Sequence, residues 1–346
     1  MPIVKAAILV EQNRPLVVDQ IDLPTELEYG QVLVKICYSG ICGSQLGEID
    51  GVKGPDKFLP HLLGHEGAGV IERCGKGVST VKPGDHVVLH WKPGKGVQSG
   101  TPLYRWKDKN INAGWVTTFN NYGVVSENRV TKIPPEIDLK TATLYGCALT
   151  TAFGIINNDA DLKAGESIAI FGSGGVGIAV ALAASLSSAY PIIAIDINDF
   201  KLEQALKFGA THVINSSKEN VTEKIKEILS QGADVVVENT GIKSVREQAY
   251  ELTSPEGRTI FVGVPKHGEK MSLDSFPLHF SKSITGSHGG DARPDYDIPR
   301  LIRLQQKGLL PLDEMISHLY PLERINEAIE MVRNGKAVRC VIDMND

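Results

Sequence analysis

The stretch Gly172-Ser173-Gly174-Gly175-Val176-Gly177 decides the fold, because its glycines have the spacing G-x-G-x-x-G. The apolar run Ser167–Phe171 before it has the character of a buried strand, and the small-residue stretch Ile178–Ser188 after it has the character of a helix. A strand, a tight glycine turn and a helix in this order let the backbone approach a pyrophosphate at the helix N-terminus. The stretch therefore predicts a dinucleotide site on a parallel sheet.

An acidic residue follows at the distance that such a site requires. The run Pro191–Ile195 reads as a second buried strand and ends in Asp196, 24 residues after Gly172. A carboxylate there contacts the adenosine ribose hydroxyls and repels a 2′-phosphate. We therefore predict NAD, rather than NADP, as the cofactor.

Four other residues indicate a metal site. They are Cys42 in Ile-Cys-Gly-Ser, the neighbours His65 and Glu66 in Gly-His-Glu-Gly, and Cys147 in Gly-Cys-Ala-Leu. Two thiolates and one imidazole bind zinc with three protein ligands and leave the fourth position open, which is the catalytic pattern. An open zinc is a Lewis acid, so zinc with NAD predicts hydride transfer between an alcohol and a carbonyl compound.

Length and charge exclude several other classes. A chain of 346 residues predicts two domains. The net charge of −5, with dispersed lysines and arginines, gives no nucleic-acid footprint. Residues 168–195 are almost uncharged, but the glycine turn and Pro191 divide them, so we predict buried core and no membrane partner.

The cysteines and the first residues bear on the cellular location. Five cysteines, an odd number, do not form a disulfide framework and fit a reducing compartment. The segment Met1–Val10 lacks the features of a signal peptide. We therefore expect a cytoplasmic protein, with Cys37, Cys74 and Cys340 as small apolar residues of strands.

The chain has two compositional regimes. Residues 1–148 show short alternating runs broken by Gly and Pro, such as Thr118–Val125, which is typical of a barrel-like β domain. Residues 149–286 alternate strands and helices, which indicates a doubly wound parallel sheet. In the tail, residues 287–346, we predict one amphipathic helix, Arg324–Asn334, and a closing strand, Arg339–Met344.

These motifs carry a resemblance that runs nearly end to end. The chain resembles the zinc-dependent alcohol dehydrogenases of the medium-chain dehydrogenase/reductase family. The motifs behind this resemblance are Gly40-Ile-Cys42-Gly-Ser44, Leu63-Gly-His65-Glu66-Gly-Ala-Gly69, Val81-Lys-Pro-Gly-Asp85, Gly146-Cys147, the glycine turn, Asp196-Ile-Asn198, Val262-Gly-Val264-Pro265 and Gly335-Lys-Ala-Val-Arg339.

The resemblance implies an α/β fold class with a GroES-like catalytic domain, residues 1–148 and 287–346, and a Rossmann NAD-binding domain, residues 149–286. The active site is expected in the cleft between them. Because Cys147 stands where other relatives have Glu, the chain is similar to the alcohol and formaldehyde dehydrogenase branch more than to the sorbitol-type branch.

The resemblance also implies a role for each residue of the site. Cys42, His65 and Cys147 would hold zinc, and Glu66 would act in catalysis beside the metal or as a transient fourth ligand. Ser44 would take the alcohol proton, after which hydride would leave a zinc-bound alkoxide for the nicotinamide.

Cofactor contacts follow from the same resemblance. They comprise the turn residues Gly172, Gly174, Gly175, Val176 and Gly177, together with Asp196, Lys201, Val264 and Arg339. Arg339 is similar to a distant arginine that reaches the pyrophosphate in relatives, and Lys201 would contact the other edge of the ribose.

Three departures from the family pattern are visible. The segment Trp91–Trp115 lacks the four cysteines of a structural zinc, so we predict one zinc per subunit and a lobe held by packing of Trp91, Tyr104, Trp106 and Trp115. Gln45 replaces an aspartate that commonly orients the zinc-bound histidine, which predicts a more weakly held metal. Gly47 replaces a histidine that ends the proton relay in some relatives.

The substrate and the assembly stay open at this point. Trp91 stands where relatives narrow the pocket with an aromatic ring, which would favour small or flat alcohols, whereas His90 and the basic loop after it would equally suit a sugar or a phosphate. Alternatives are a polyol or sugar dehydrogenase, a metal-free quinone or enone reductase of the same superfamily, and a protein that only binds NAD. Relatives are dimers or tetramers, so a homodimer or homotetramer is expected by resemblance.

Overall fold

The computed structural model describes residues 4–345, which divide into two compact units. Unit 1 comprises the chain up to Cys147 together with the segment from Arg293 onward, and unit 2 comprises Ala148–Ala292. Each unit has its own sheets and its own core.

The strands, in chain order, are β1 (Val4–Leu9), β2 (Val17–Ile21), β3 (Gln31–Gly40), β4 (His61–Leu62), β5 (Glu66–Cys74), β6 (His86–His90), β7 (Tyr104–Trp106), β8 (Lys109–Ile111), β9 (Tyr122–Ser126), β10 (Val130–Lys132), β11 (Ile168–Phe171), β12 (Ile192–Asp196), β13 (His212–Asn215), β14 (Ala233–Glu238), β15 (Thr253–Phe261), β16 (Ser283–Gly286), β17 (Ile316–Pro321) and β18 (Arg339–Asp343). The α-helices are α1 (Gly43–Ile49), α2 (Leu139–Ala142), α3 (Ala148–Gly154), α4 (Gly175–Leu186), α5 (Asp199–Lys207), α6 (Val221–Ile228), α7 (Lys243–Glu251), α8 (Pro294–Gln306), α9 (Leu312–Met315) and α10 (Ile325–Arg333).

Unit 1 is built from mainly antiparallel sheets. Its largest sheet has the strand order β10-β6-β5-β3-β18-β17, with β9 also paired to β3, and β2-β1-β4 and β7-β8 form two smaller sheets. Because side chains alternate between the two faces of a strand, β1 contributes to two apolar clusters. Ala7 and Leu9 pack into one, and Ala6 and Ile8 pack into the other. The GroES-like β domain predicted for this part of the chain is the observed architecture.

Unit 2 is a parallel sheet with the order β13-β12-β11-β14-β15-β16. In order of appearance this is 3-2-1-4-5-6, the doubly wound arrangement that binds dinucleotides at the point where the strand order reverses. Strands β11 and β12 are almost wholly buried, and helix α4 is buried from Gly177 to Ala184, as the apolar sequence between residues 168 and 195 predicts.

The second boundary between the units lies further along the chain than the sequence indicated. Residues 287–292, which we assigned to the catalytic domain, pack within unit 2. The Nδ2 of Asn158 donates to the carbonyl of Gly290 (2.8 Å), and a Cβ on Gly290, whose φ is +65°, would meet the backbone of α3. Only glycine permits this close approach.

The tail contains two elements that the sequence did not predict, helix α8 and strand β17. Helix α8 has Pro294 at its start and Pro299 inside, and proline normally ends a helix, so the helical pattern was hidden. The predicted helix and closing strand are α10 and β18.

The described residues contain no single helix with the length and apolar character needed to cross a bilayer. One bent pair, Leu139–Gly146 followed by Ala148–Asp159, meets the criterion of length and composition only when its two helices are taken together.

Candidate metal centre and cofactor site

Three turns of unit 1 position the predicted zinc ligands. Cys42 is the N-cap of α1, His65 immediately precedes β5, and Cys147 follows a 3₁₀ turn, residues 143–146. Their ligand atoms all lie within 4.8 Å of one another, and residues 4–345 contain no second cluster of this kind. Residues that are up to 105 positions apart in the sequence thus meet in one place.

The chemistry of this cluster fits a zinc ion. The sulfurs of Cys42 and Cys147 are 4.0 Å apart and the side chains are buried. A hydrogen bond from Cys147 holds the pKa of Cys42 well below its usual range, although burial opposes the shift, and the neighbouring His65 and Arg339 contribute further. Nε2 of His65 is buried and has no hydrogen-bond partner among the described residues. A thiolate sulfur and an unsatisfied imidazole nitrogen are donor atoms that zinc binds, so a zinc ion would satisfy both.

Gln45, in the first turn of α1, contacts two of the three candidate ligands. Its Nε2 lies against Nδ1 of His65, and its Oε1 accepts a hydrogen bond from the backbone N–H of Cys42 (3.2 Å). The side chain of Gln45 is buried. It therefore orients the imidazole and caps the helix at the same time.

Glu66 does not belong to the group of three ligands. Its carboxylate forms a buried ion pair with Arg339 of β18, and its backbone carbonyl accepts a hydrogen bond from Ser39 Oγ (3.1 Å). A Cβ on Gly40 would overlap the Glu66 carboxylate, so glycine at position 40 provides the space for it. This places Glu66 beside the metal ligands, with its charge compensated by Arg339.

The predicted proton acceptor also lies in this region. Ser44 is in the first turn of α1, two residues after Cys42, and its Oγ is buried with no partner among the described residues. Gly47 lies on the same helix and adds no side chain that could continue a relay. Ser44 Oγ can therefore donate to or accept from a bound alcohol.

In unit 2 the glycine turn has the geometry that a dinucleotide requires. Gly172 follows β11 with φ +87°, Gly174 caps α4, and Gly175, Val176 and Gly177 form the first turn of that helix. A Cβ on Gly177 would overlap the carbonyl of Gly172, so the turn closes only with glycine there. The first N–H groups of a helix have no acceptor within the helix, so the start of α4 is suited to an anion.

Asp196 ends β12 next to this turn. Its Oδ2 accepts from the N–H of Ser173 (2.8 Å) and its Oδ1 from the N–H of Asn198 (3.1 Å). The carboxylate is thus fixed at the edge of the turn. Lys201 lies in the first turn of the following helix, α5, and is half-buried.

The other two predicted cofactor residues occupy different surroundings. Val264 follows β15 in unit 2 and its side chain is 59% exposed. Arg339 is in unit 1, where it is 3% exposed and paired with Glu66. Nothing in the sequence indicated that Arg339 would pair with Glu66.

Sequence reasoning missed a further carboxylate of unit 2. Glu238 ends β14 and accepts hydrogen bonds from the N–H groups of Thr240 and Gly241 (3.0 Å for Gly241). It thereby fixes the turn after β14, whose residue Asn239 lies against the glycine turn. An acidic residue at the end of a strand before Thr-Gly was the available signal, as it was for Asp196.

Polar contacts hold the segment that lacks the four cysteines. The Glu127 carboxylate accepts from the N–H groups of Ser79 (2.6 Å), Thr80 (2.7 Å) and Val97 (2.8 Å), and Arg129 donates to the Gln98 side chain (2.8 Å). The bonds to Val97 and Gln98 tie the loop after β6 to the turn that follows β9, and the bonds to Ser79 and Thr80 tie the loop between β5 and β6 to the same turn.

The aromatic residues of this segment contribute unequally. Tyr104 and Trp106 are buried, and their polar groups bond to the N–H of Val124 (2.8 Å) and to Asp19 (2.8 Å). Trp91 is partly buried against the core, but the prediction is wrong for Trp115, which is 50% exposed with Arg129 against its ring. The hydrogen bonds of Glu127 and Arg129 therefore hold this segment, in place of the packing predicted for Trp115.

Comparison with known proteins agrees with both units. Residues 28–135 match the family model of the alcohol dehydrogenase GroES-like domain, and residues 175–307 match that of zinc-binding dehydrogenases. The S-(hydroxymethyl)glutathione dehydrogenase of Haemophilus influenzae is 32% identical, over 98% of this chain and 96% of that protein.

Two crystal structures have the same fold over the full length of both chains. Benzyl alcohol dehydrogenase from Acinetobacter calcoaceticus has a TM-score of 0.90 at 29% identity, and an alcohol dehydrogenase zinc-binding domain protein from Burkholderia ambifaria has 0.91 at 30%. The chain belongs to the zinc-dependent alcohol dehydrogenases of the medium-chain dehydrogenase/reductase family, oxidoreductases that interconvert alcohols and carbonyl compounds with a nicotinamide dinucleotide.

Proposed function

We propose that this enzyme interconverts an alcohol and its aldehyde or ketone with NAD at one zinc ion per chain, held by Cys42, His65 and Cys147. The observation that carries the proposal is the convergence of two sulfurs and an unsatisfied imidazole nitrogen within 4.8 Å. When bound there, zinc would polarise the alcohol oxygen and lower the pKa of its hydroxyl.

The protein's own residues then act on the proton and the charge. Ser44 Oγ, two residues after Cys42 and without another partner among the described residues, accepts the alcohol proton and passes its own hydroxyl proton on to water or to a ribose hydroxyl of the cofactor, since Gly47 offers no side chain for a relay. Glu66 and Arg339 form a neutral pair behind the ligands, and Glu66 remains the candidate for transient metal contact. The electron pair leaves the carbinol carbon as hydride for the nicotinamide ring.

We further propose NAD, rather than NADP, as the cofactor. Both oxygens of Asp196 are fixed by backbone N–H groups at the edge of the glycine turn, so its negative charge stays where a 2′-phosphate would lie. Contacts with Gly172, Gly174, Gly175, Val176, Gly177, Lys201 and Val264 complete the proposed site. The pyrophosphate contact expected of Arg339 by resemblance would require this arginine to leave its buried pair with Glu66.

A single zinc is supported by the segment from Trp91 to Trp115. That segment contains no cysteine, and Glu127 and Arg129 hold its loop by hydrogen bonds. We assign unit 1 to catalysis and unit 2, which includes residues 287–292, to binding of the cofactor.

Assembly and location are further parts of the proposal. Strand β16 is an edge of the parallel sheet, and Phe276 and Phe280 before it are 68% and 61% exposed, which favours a homodimer formed through this edge, alone or within a homotetramer. Five free cysteines favour a reducing compartment, the cytoplasm.

The test combines metal content, NADH binding and turnover of the wild type and Cys42→Ser. We expect one zinc per chain in the wild type, and loss of zinc and turnover with little change of NADH affinity in the variant. A wild type active without zinc would contradict the proposal. A panel of primary alcohols, benzyl alcohol, polyols and S-(hydroxymethyl)glutathione, the last prompted by the name of the bacterial relative, then identifies the substrate.

A further inference from the structure

The amide of Gln45 is shared between two metal ligands. Its oxygen accepts from the backbone N–H of Cys42 (3.2 Å), and its nitrogen contacts Nδ1 of His65. Gln45 is 1% exposed, so water does not easily replace either contact.

This arrangement suits the metal-free imidazole better than the metal-bound one. When a histidine binds a metal through Nε2, its Nδ1 carries the proton and needs an acceptor. Nδ1–H of His65 would then face the NH₂ group of Gln45, a donor against a donor. Nε2 of His65 is the nitrogen that has no partner among the described residues, so zinc would bind through Nε2 and the proton would stay on Nδ1.

Rotation of the amide by half a turn does not remove the conflict. It brings the oxygen to His65 but turns the NH₂ group toward the N–H of Cys42, which loses its acceptor. Because two different atoms of the amide serve the two ligands, a neutral amide satisfies one donor and a carboxylate would satisfy both.

We propose that Gln45 is a positioning residue that sets how firmly zinc is held, because metal binding and the N-cap of α1 compete for its one amide oxygen. This inference rests on the proposed zinc site. A metal-bound imidazole N–H is the stronger donor, so the amide turns toward His65 when zinc binds, and the first turn of α1, which carries Ser44, loses a cap bond. The zinc is therefore readily exchanged.

The experiment uses the zinc-loaded full chain, Gln45→Glu, and the control Gln20→Glu, which makes the same charge change at an exposed residue of β2. Zinc release to a chromogenic chelator is timed. We expect release from Gln45→Glu to be on the order of ten-fold slower than from the wild type, and no change for Gln20→Glu.

A second measurement follows the hydrogen bond from the Cys42 N–H to residue 45 directly, and so distinguishes its loss from attraction between zinc and the charge that Gln45→Glu adds. Hydrogen exchange of the amides of residues 42–45 is compared with and without zinc. In the wild type zinc should speed exchange of the Cys42 amide, because its N–H loses an acceptor, whereas Gln45→Glu should show no such increase.

Two results would overturn the inference alone: a wild type that binds one zinc with no change in this exchange, or a Gln45→Glu variant that releases zinc as fast as the wild type. A folded wild type that binds no zinc would overturn the proposed function as well, so the two failures are distinguishable.

Discussion

Arg339 and Glu66 form an ion pair in the interior of unit 1, where their side chains are 3% and 0% exposed. Both charges are removed from water, so neither is tolerated without the other. The pair lies beside Cys42, whose pKa Arg339 helps to lower.

Arg339→Met should therefore destabilise unit 1 strongly. Breaking a buried pair on one side leaves an uncompensated charge and costs about 3–5 kcal/mol. Arg333→Met is the matched control, since Arg333 pairs with Asp50 (2.6 Å) at the surface and should cost below about 1 kcal/mol. Urea unfolding of both variants gives the comparison, and equal losses would contradict the assigned burial effect.

The sequence predicted the parts of the site that depend on local pattern. The glycine turn and Asp196 were readable because strand, turn and helix follow one another within thirty residues, roughly one supersecondary unit. The pairing of Glu66 with Arg339 was not readable, because it depends on β18 joining β3 across the length of the chain. Helix α8 was hidden by its prolines, and the exposure of Trp115 by contacts that only the folded loop defines.

Glu127→Gln should loosen the loops before and after β6, because Glu127 accepts from Ser79 and Thr80 in the first and from Val97 in the second. Burial alone would raise the pKa of Glu127, but hydrogen bonds from the N–H groups of Ser79, Val97 and Thr80 outweigh it, and the pKa is lowered. The variant loses charge-assisted bonds, which costs about 1–3 kcal/mol at pH 7.

The contribution of Glu127 to the free energy of unfolding depends on pH. Because the folded pKa lies below the unfolded one, the stabilisation by Glu127 is present above the unfolded pKa, about 4.3, and is lost as the pH falls through the folded pKa. The gap in unfolding free energy between wild type and Glu127→Gln should narrow in acid. Glu136→Gln makes the same change at an exposed carboxylate and controls for the loss of one negative charge, with an expected cost below about 0.5 kcal/mol at pH 7.

Removal of zinc should not loosen the loop after β6. Its contacts are hydrogen bonds to Glu127 and Arg129, and the segment from Trp91 to Trp115 contains no cysteine. After treatment with a chelator we expect loss of turnover but the same rate of trypsin cleavage after Lys95, which is exposed. Faster cleavage there would indicate that the metal supports the loop.

Asp196→Ala should weaken the preference for NAD. Removing the fixed carboxylate removes its repulsion of a 2′-phosphate, so the ratio of kcat/KM for NAD over NADP should fall on the order of ten-fold, about 1.4 kcal/mol. Asp199→Ala, three residues on, is the control, because Asp199 bonds to Lys218 at the surface. An unchanged ratio in Asp196→Ala would assign the discrimination to another residue.

Phe280→Asp should shift the assembly toward the monomer. The rings of Phe276 and Phe280 lie 5.0 Å apart next to the edge strand β16, and a charge in place of one ring would have to be desolvated when two edges meet. Phe58→Asp makes the same change at a phenylalanine of unit 1 that is 66% exposed, so it controls for loss of a surface ring. Light scattering over a range of protein concentrations should show a lower mass for Phe280→Asp only. A wild type that is monomeric at every concentration, or two variants with the same mass as the wild type, would show that this edge does not carry the contact.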